Sequence, residues 1–477
     1  MWYGKGPGLD RSMDVFKHAN NAGTAKHGGV LLIAGDDHGA KSSTVAFQSE
    51  PALIAAGIPV LNPANIQEYL DLGLVAFAMS RYAGVWVGMK CITDTVDGSA
   101  SVIVDPWRVQ LVTPTDFELP PDGVHIRVPD TALAKEQRLW RVRLPAVQAF
   151  ARANRLDRIT HDLPVARRRL GVVASGKSWS DLLHVLQQLG VDEEMRQALG
   201  LSIYKVAMPW PLEPEGIRGF AQGQEELLVI EEKRGLIEEQ IARILYPLPD
   251  RPRLLGKQDE HGKSLLPVDG ELSLDQIAAT LAARLLRLNP PPRLATRLRA
   301  ALRPEPATVA SPATPRTPWF CAGCPHNTST RVPEGSRAFA GIGCHTMALF
   351  MPNRRTESFT HMGGEGAQWI GQAPFSKDRH VFQNLGDGTY YHSGLLAIRA
   401  AVAAKVNITY KILYNDAVAM TGGQPVEGQL TPWSIAQQVA AEGVRRIVVV
   451  TDEPNKYPPG TPWPQGVTIR HRRELDA

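Results

Sequence analysis

The apolar run Val381 to Leu385 feeds directly into Gly386-Asp387-Gly388, and a helical pattern follows it. The two glycines let the backbone turn tightly and approach a ligand closely. The start of the next helix offers free N–H groups to an anion, and Asp387 between them is a hard oxygen ligand. Asn415 lies 27 residues beyond Gly388, at the end of the following apolar run. Parallel neighbouring strands joined by a helix end at the same sheet edge, so Asp387 and Asn415 are expected side by side. Their side-chain oxygens, with the backbone carbonyl of Ala417, leave room on an octahedral Mg²⁺ for two diphosphate oxygens and a water. Gly-Asp-Gly alone is no more than a turn. The strand before it, the helix after it and an asparagine at this distance make it a candidate diphosphate and metal site.

Cys321, Cys324 and Cys344 make up three of the four cysteines. A C-x-x-C turn can present two thiolates to one centre, and such clustering in a reducing compartment points to metal rather than to disulfides. Spacing alone leaves two readings in balance. One is a 4Fe–4S cluster with four thiolate ligands; the other is zinc, with His326, His345 or His361 as fourth ligand. Cys344 as a plain core residue is a third. Cys91 falls in an apolar, strand-like segment and is expected in the core.

Weaker candidates are His38, which follows a strand end and could face substrate, and His392, four residues after Gly388. Either could equally be a hydrogen-bonded structural histidine. Gly364, Glu365 and Gly366 form a flexible turn that could touch the diphosphate or be a plain loop. Gly171 to Ser178 matches the phosphate-binding pattern G-x-x-x-x-G-K-S literally. A true phosphate loop follows its strand; here the apolar strand runs through the would-be loop and arginines precede it, so the match is set aside.

The run from Cys321-Ala322-Gly323-Cys324-Pro325-His326-Asn327 through Gly341-Ile342-Gly343-Cys344 and Gly386-Asp387-Gly388 to Ala419-Met420-Thr421-Gly422-Gly423-Gln424-Pro425 resembles one known module. It is the thiamine diphosphate-binding part of the indolepyruvate (2-oxoacid) ferredoxin oxidoreductase family. The spacing from Gly-Asp-Gly to Asn415 matches the thiamine diphosphate motif. The segment Met1 to Glu50 resembles that family's pyrimidine-binding domain, notably at Gly35-Asp36-Asp37-His38 and Lys41-Ser42-Ser43-Thr44, and the middle of the chain resembles its transketolase C-terminal-like domain. The resemblance implies oxidative decarboxylation of a 2-oxoacid, an arylpyruvate such as indolepyruvate, with coenzyme A as acyl acceptor and ferredoxin as electron acceptor. It implies thiamine diphosphate and Mg²⁺, adds Thr421 to the cofactor-binding residues, and tilts the cysteines towards a 4Fe–4S cluster. It also implies that Met1 aligns inside the pyrimidine domain. The glutamate that activates the aminopyrimidine and a fourth cluster cysteine are then expected outside this sequence, and the chain is expected as a homodimer or in complex with a chain that supplies the missing domains. A catalytically inactive, partner-binding remnant and a non-oxidative 2-oxoacid decarboxylase remain alternatives.

The elements that must position these residues read as α/β. Strand-like runs alternate with helical periodicity, predicting multi-domain thiamine diphosphate-binding folds with parallel sheets flanked by helices. The expected division is a partial pyrimidine-binding-like domain over 1–118, a connecting segment over 119–168, a transketolase C-terminal-like domain over 169–288, a Pro/Ala/Arg-rich linker over 289–318 and the diphosphate-binding domain over 319–477. A net charge of only +4, with no basic stripe interleaved with aromatics, argues against nucleic acid. No apolar run approaches membrane-spanning length and no signal-peptide pattern opens the chain, which places it in the cytoplasm.

Overall fold

The computed structural model describes residues 1–41, 43, 45–302, 317–419, 422–428 and 430–475. It forms two compact units, Met1–Pro306 and Ala307–Ala477.

The first unit holds two sheets. One is wholly parallel: β1 (Trp2–Lys5), β2 (Val30–Asp36), β3 (Val60–Leu61) and β4 (Trp86–Ile92), in the order β1-β2-β4-β3. The helix Ile66–Ala83 packs on it. Asn65 caps that helix by accepting the Glu68 N–H, and Leu72, Val75, Ala76 and Met79 form its buried face at the spacing a helix requires. The other sheet comprises β5 (Arg158–His161), β6 (Leu170–Ser175), β7 (Leu201–Val206), β8 (Glu226–Ile230) and β9 (Arg253–Leu255), ordered β5-β7-β6-β8-β9 and parallel except for β5. Every residue of β6 and β7 is buried, as befits central strands covered on both faces.

One sequence expectation holds here and one changes. Gly171 to Ser175 is β6 itself, so the literal phosphate-loop match is a strand. The segment 119–168, expected only to connect, contains a helical stretch, Ala132–Arg138 continued through a π-turn into Leu144–Ala153, and also the strand β5. Four residues, Arg-Ile-Thr-His, are too few to show an alternation. In the stretch 289–318 the one helix observed is Pro292–Ala301; residues 303–316 lie outside the described residues.

Arg143, in that π-turn, is buried and binds carbonyl oxygens alone. Its guanidinium donates to Val124 O (2.7 Å), Asn20 O (3.3 Å), Asn21 O (3.0 Å) and Ala22 O (3.0 Å), closing the C-terminus of the helix Met13–Ala22.

Asp157, next to β5, accepts the N–H groups of Ala207 (2.7 Å) and Met208 (2.9 Å) through Oδ1, and its Oδ2 has no hydrogen-bond partner. Burial raises its pKa to about 7. A carboxyl that titrates higher in the folded state holds more protons there than in the unfolded chain, so its contribution to stability falls as pH rises from about 4 to about 7. Asp157→Asn keeps the acceptor and cannot ionise. Denaturation midpoints are therefore expected to favour the variant, relative to the parent, at pH above the folded pKa and not in acid; an equal difference on both sides would show that Asp157 does not titrate there.

The second unit is built on a parallel sheet of β10 (Ala338–Ala340), β11 (Thr356–Phe359), β12 (Val381–Gly386) and β13 (Ile408–Leu413), ordered β11-β10-β12-β13. Leu385 is opposite Ile412 and Gly386 opposite Leu413, so β12 and β13 end together. After β12 come a short turn, Asp387–Thr389, a π-turn, Tyr390–Gly394, and the helix Leu395–Ala403. Among the described residues no helix is long and apolar enough to cross a membrane.

Candidate functional site

The carboxyl ends of β10, β12 and β13 bring three chain segments to one edge of the second unit's sheet. Asp387 is buried, and its carboxylate gathers the backbone around it. Oδ1 accepts the Gly388 N–H (2.9 Å), and Oδ2 accepts the N–H groups of Asn415 (2.9 Å) and Asp416 (2.7 Å). The expected juxtaposition of Asp387 and Asn415 is therefore a direct contact across neighbouring strand ends. A carboxylate offers about four lone-pair positions; three are used by N–H groups, which leaves one for a cation. Asp416 turns the chain with φ +56°, and the Asn415 Oδ1 accepts the Ala417 N–H (3.2 Å), ordering the asparagine amide and the following peptide. Ala417 then pairs with Pro425 in a short antiparallel ladder.

Gly341 and Gly343, on the loop after β10, and Gly386 crowd around the imidazole of His345. A Cβ on Gly341 would stand 2.7 Å from His345 Nε2 and 2.5 Å from the Asn384 carbonyl oxygen; one on Gly386 would lie 3.5 Å from His345 Cε1. His345 Nε2 is buried without a hydrogen-bond partner, and so are both amide atoms of Asn384 on β12. Burial, then the neighbouring His326, lowers the His345 pKa to about 3, so the ring is neutral. Orphaned polar atoms of this kind each cost about 1–3 kcal/mol, and native proteins retain them where a guest answers them. These groups, beside a carboxylate with one position to spare, fit a Mg²⁺–diphosphate guest.

Past His345 lies the cysteine loop. His345 stacks on His326 (ring centroids 6.0 Å apart), and His326 stacks on Phe320 (5.3 Å) and makes a 3.1 Å contact from Nδ1 to Cys324 Sγ. Burial, and then the charges of Cys324 and Cys321, push the Cys344 thiol up, so the three cysteines are electrostatic neighbours. They do not close on one centre here: among the described residues no three His, Cys, Asp or Glu side chains form a metal-holding group. Cys91 lies on β4 in the first unit, where burial raises its thiol pKa to about 11.

The other candidates are placed as follows. Gly364, Glu365 and Gly366 are buried in the turn after β11. Glu365 accepts the Gly363 N–H (2.6 Å), and its carbonyl receives the Tyr410 hydroxyl (3.0 Å). Gly366 has φ +87°, and a Cβ there would overlap the Tyr410 hydroxyl, so only glycine fits. His392 is exposed on the π-turn and pairs with the adjacent Ser393 hydroxyl (2.6 Å). Thr421 lies outside the described residues. His38 belongs to the first unit and is buried between Asp36 and Glu232. Reasoning from sequence missed His345 as part of this strand-end edge, and it missed Asn384. The signal for Asn384 was available: Gln383-Asn384 interrupts an apolar strand, and a polar residue at a core position asks for a partner.

Residues 341–453 match the family model described as thiamine pyrophosphate enzyme, C-terminal TPP binding domain, and residues 162–303 match the one described as indolepyruvate oxidoreductase domain. The chain is a relative of the indolepyruvate oxidoreductases. Indolepyruvate oxidoreductase subunit IorA of Pyrococcus horikoshii is 24% identical over 464 residues, covering 92% of this chain and 68% of that protein. The same subunit of Thermococcus kodakarensis is 25% identical over 476 residues, with the same coverage. Among solved structures, a 2-oxoglutarate:ferredoxin oxidoreductase from Magnetococcus marinus shares a loose, partial likeness, with a TM-score of 0.35 at 13% identity over 53% of this chain and 49% of that one. The thiamine-binding match spans Gly341 to Glu453 and so contains Gly386-Asp387-Gly388 and Asn415, which makes this chain kin to thiamine diphosphate-dependent oxidoreductases.

Proposed function

We propose that the chain contributes the diphosphate and Mg²⁺ half-site of an enzyme that oxidatively decarboxylates a 2-oxoacid, an arylpyruvate such as indolepyruvate, to an acyl-CoA and carbon dioxide, with ferredoxin taking the electrons. The observation that carries this reading is the Asp387 carboxylate holding the Asn415 and Asp416 N–H groups at the common end of β12 and β13. Asp387, the Asn415 amide oxygen and the Ala417 carbonyl would hold Mg²⁺, and the turn at Gly386-Asp387-Gly388 would seat the diphosphate. Bound thiamine diphosphate supplies the carbon nucleophile and electron sink that 2-oxoacid decarboxylation needs.

The protein's own part is positional. Asp387 fixes the negative charge that the metal meets. The neutral His345 stands between the turn and the cysteine loop, where Cys321, Cys324 and Cys344 would carry an iron–sulfur cluster completed by a fourth ligand. A partner subunit would complete the enzyme, in keeping with relatives named as a subunit.

The test is to purify the full chain anaerobically and measure reduction of a viologen dye with indolepyruvate, coenzyme A, Mg²⁺ and thiamine diphosphate, with and without a partner chain carrying an intact pyrimidine domain. Coenzyme A-dependent dye reduction is expected in the complemented mixture. Aldehyde release with no dye reduction would make the enzyme a non-oxidative decarboxylase. No turnover in any mixture would leave a partner-binding remnant. Cys324→Ser is expected to leave thiamine diphosphate binding intact and to remove iron and sulfide from the purified protein; retained iron would exclude Cys324 as a ligand.

A further inference from the structure

At the strand-end edge of the second unit, backbone and a second ring fix the imidazole of His345 in place. The residue is 3% exposed. A Cβ on Gly341 would stand 2.7 Å from its Nε2 and one on Gly343 2.8 Å from its Cε1, closer than real Cβ atoms come, so these glycines make the room that the ring fills. Gly386, which opens the turn at Asp387, brings its backbone to the ring as well, a Cβ there lying 3.5 Å from Cε1. His326 stacks on the ring at a centroid separation of 6.0 Å and an interplanar angle of 15°.

Packing does not account for the choice of a histidine. Its Nε2 is buried and has no hydrogen-bond partner. A phenyl ring would fill the same space and strand no polar atom. Buried polar groups in native proteins are hydrogen-bonded, and an exception asks for an explanation. Asn384 lies two residues before Gly386, on the same face of β12, and both atoms of its amide are orphaned too. The unanswered atoms of both residues thus fall beside one turn, the turn that holds the Asp387 carboxylate.

An imidazole carries at least one N–H, whichever its tautomer or charge, so His345 can offer a donor at Nε2. The Asn384 carbonyl oxygen flanks the same side of Gly341, 2.5 Å from the same Cβ position, yet the two make no hydrogen bond. A diphosphate brings ionised oxygens, and a hydrogen bond to an ionised acceptor is roughly twice as strong as a neutral one. A donor whose ring is already held by its surroundings needs no ordering when the anion arrives.

We propose that His345 is a binding residue of the diphosphate half-site, its Nε2–H donating to a diphosphate oxygen. The assignment rests on the reading of Asp387 and Asn415 as the Mg²⁺–diphosphate site. It adds a side-chain donor to a site whose other contacts are metal ligands and backbone. A water lodged beside Gly341 is the rival partner for Nε2, and it would leave diphosphate affinity indifferent to the residue at 345.

Calorimetric titration of the full chain with inorganic diphosphate in excess Mg²⁺ reads this contact without turnover. His345→Phe keeps a ring to stack on His326 and removes the N–H. It is expected to weaken binding about 10-fold or more, with the thermal midpoint of the ligand-free protein not lowered. His345→Gln, which offers an N–H on a more flexible arm, is expected to recover part of the affinity. Should His345→Phe not fold, His345→Leu takes its place. Unchanged affinity in the folded variant would overturn the assignment. So would a loss that His345→Gln does not reduce, or one that comes with a lowered midpoint, since either marks a packing role. Asp387→Ala separates the two levels. If it loses the ligand while His345→Phe keeps it, the His345 contact alone falls; if the parent itself takes up no Mg²⁺–diphosphate, the half-site reading falls and the contact with it.

Discussion

Asp387→Ala is expected to abolish Mg²⁺-dependent binding of thiamine diphosphate. Asp387 is the buried carboxylate at the strand ends, with three of its lone-pair positions taken by backbone N–H groups. Losing one partner of a buried, hydrogen-bonded charge pair costs about 2–5 kcal/mol, which is roughly 30-fold to several thousand-fold in affinity. The substitution also strands the N–H groups of Gly388, Asn415 and Asp416, so some stability is lost with it. Calorimetric titration with the cofactor, with and without Mg²⁺, separates the two effects: a folded variant that binds as the parent does refutes the ligand assignment.

Arg143→Ala is expected to destabilise the first unit by about 3–5 kcal/mol, the cost of leaving buried polar groups without their charged partner. Four carbonyl oxygens, three of them closing the helix Met13–Ala22 and one on Val124, lose their donor together. Arg143→Lys restores the charge but not the planar fork that spans these oxygens, and is expected to recover less than half of the loss. Urea unfolding midpoints of the three proteins decide it. A loss below about 1 kcal/mol would mean that water reaches the carbonyls instead.

The Asp387–Asn415 pairing was legible in the sequence because its geometry follows from topology. Two apolar runs joined by a helix have to lie parallel and end at one edge, and the residues just past those ends have to meet. The long central strands and the helix from Ile66 were legible for the same reason, since burial writes a period into the chain. What stayed hidden was set by packing between distant segments. β10 is three residues long and β11 four, too short to carry a period. His345 reads as a neighbour of Cys344 and joins the strand-end edge beside Asp387 only when Gly341 and Gly386 close around it. Arg143 is a charged residue, a type that is ordinarily solvated; its burial depends on carbonyls that come from residues more than a hundred positions earlier as well as from Val124.

The Asp387 carboxylate is held by three backbone amides before any cofactor arrives. The turn therefore has little to rearrange on binding. Capture at this edge should be limited by encounter, with an observed rate that climbs linearly with the concentration of the Mg²⁺–diphosphate complex instead of levelling off at a conformational step.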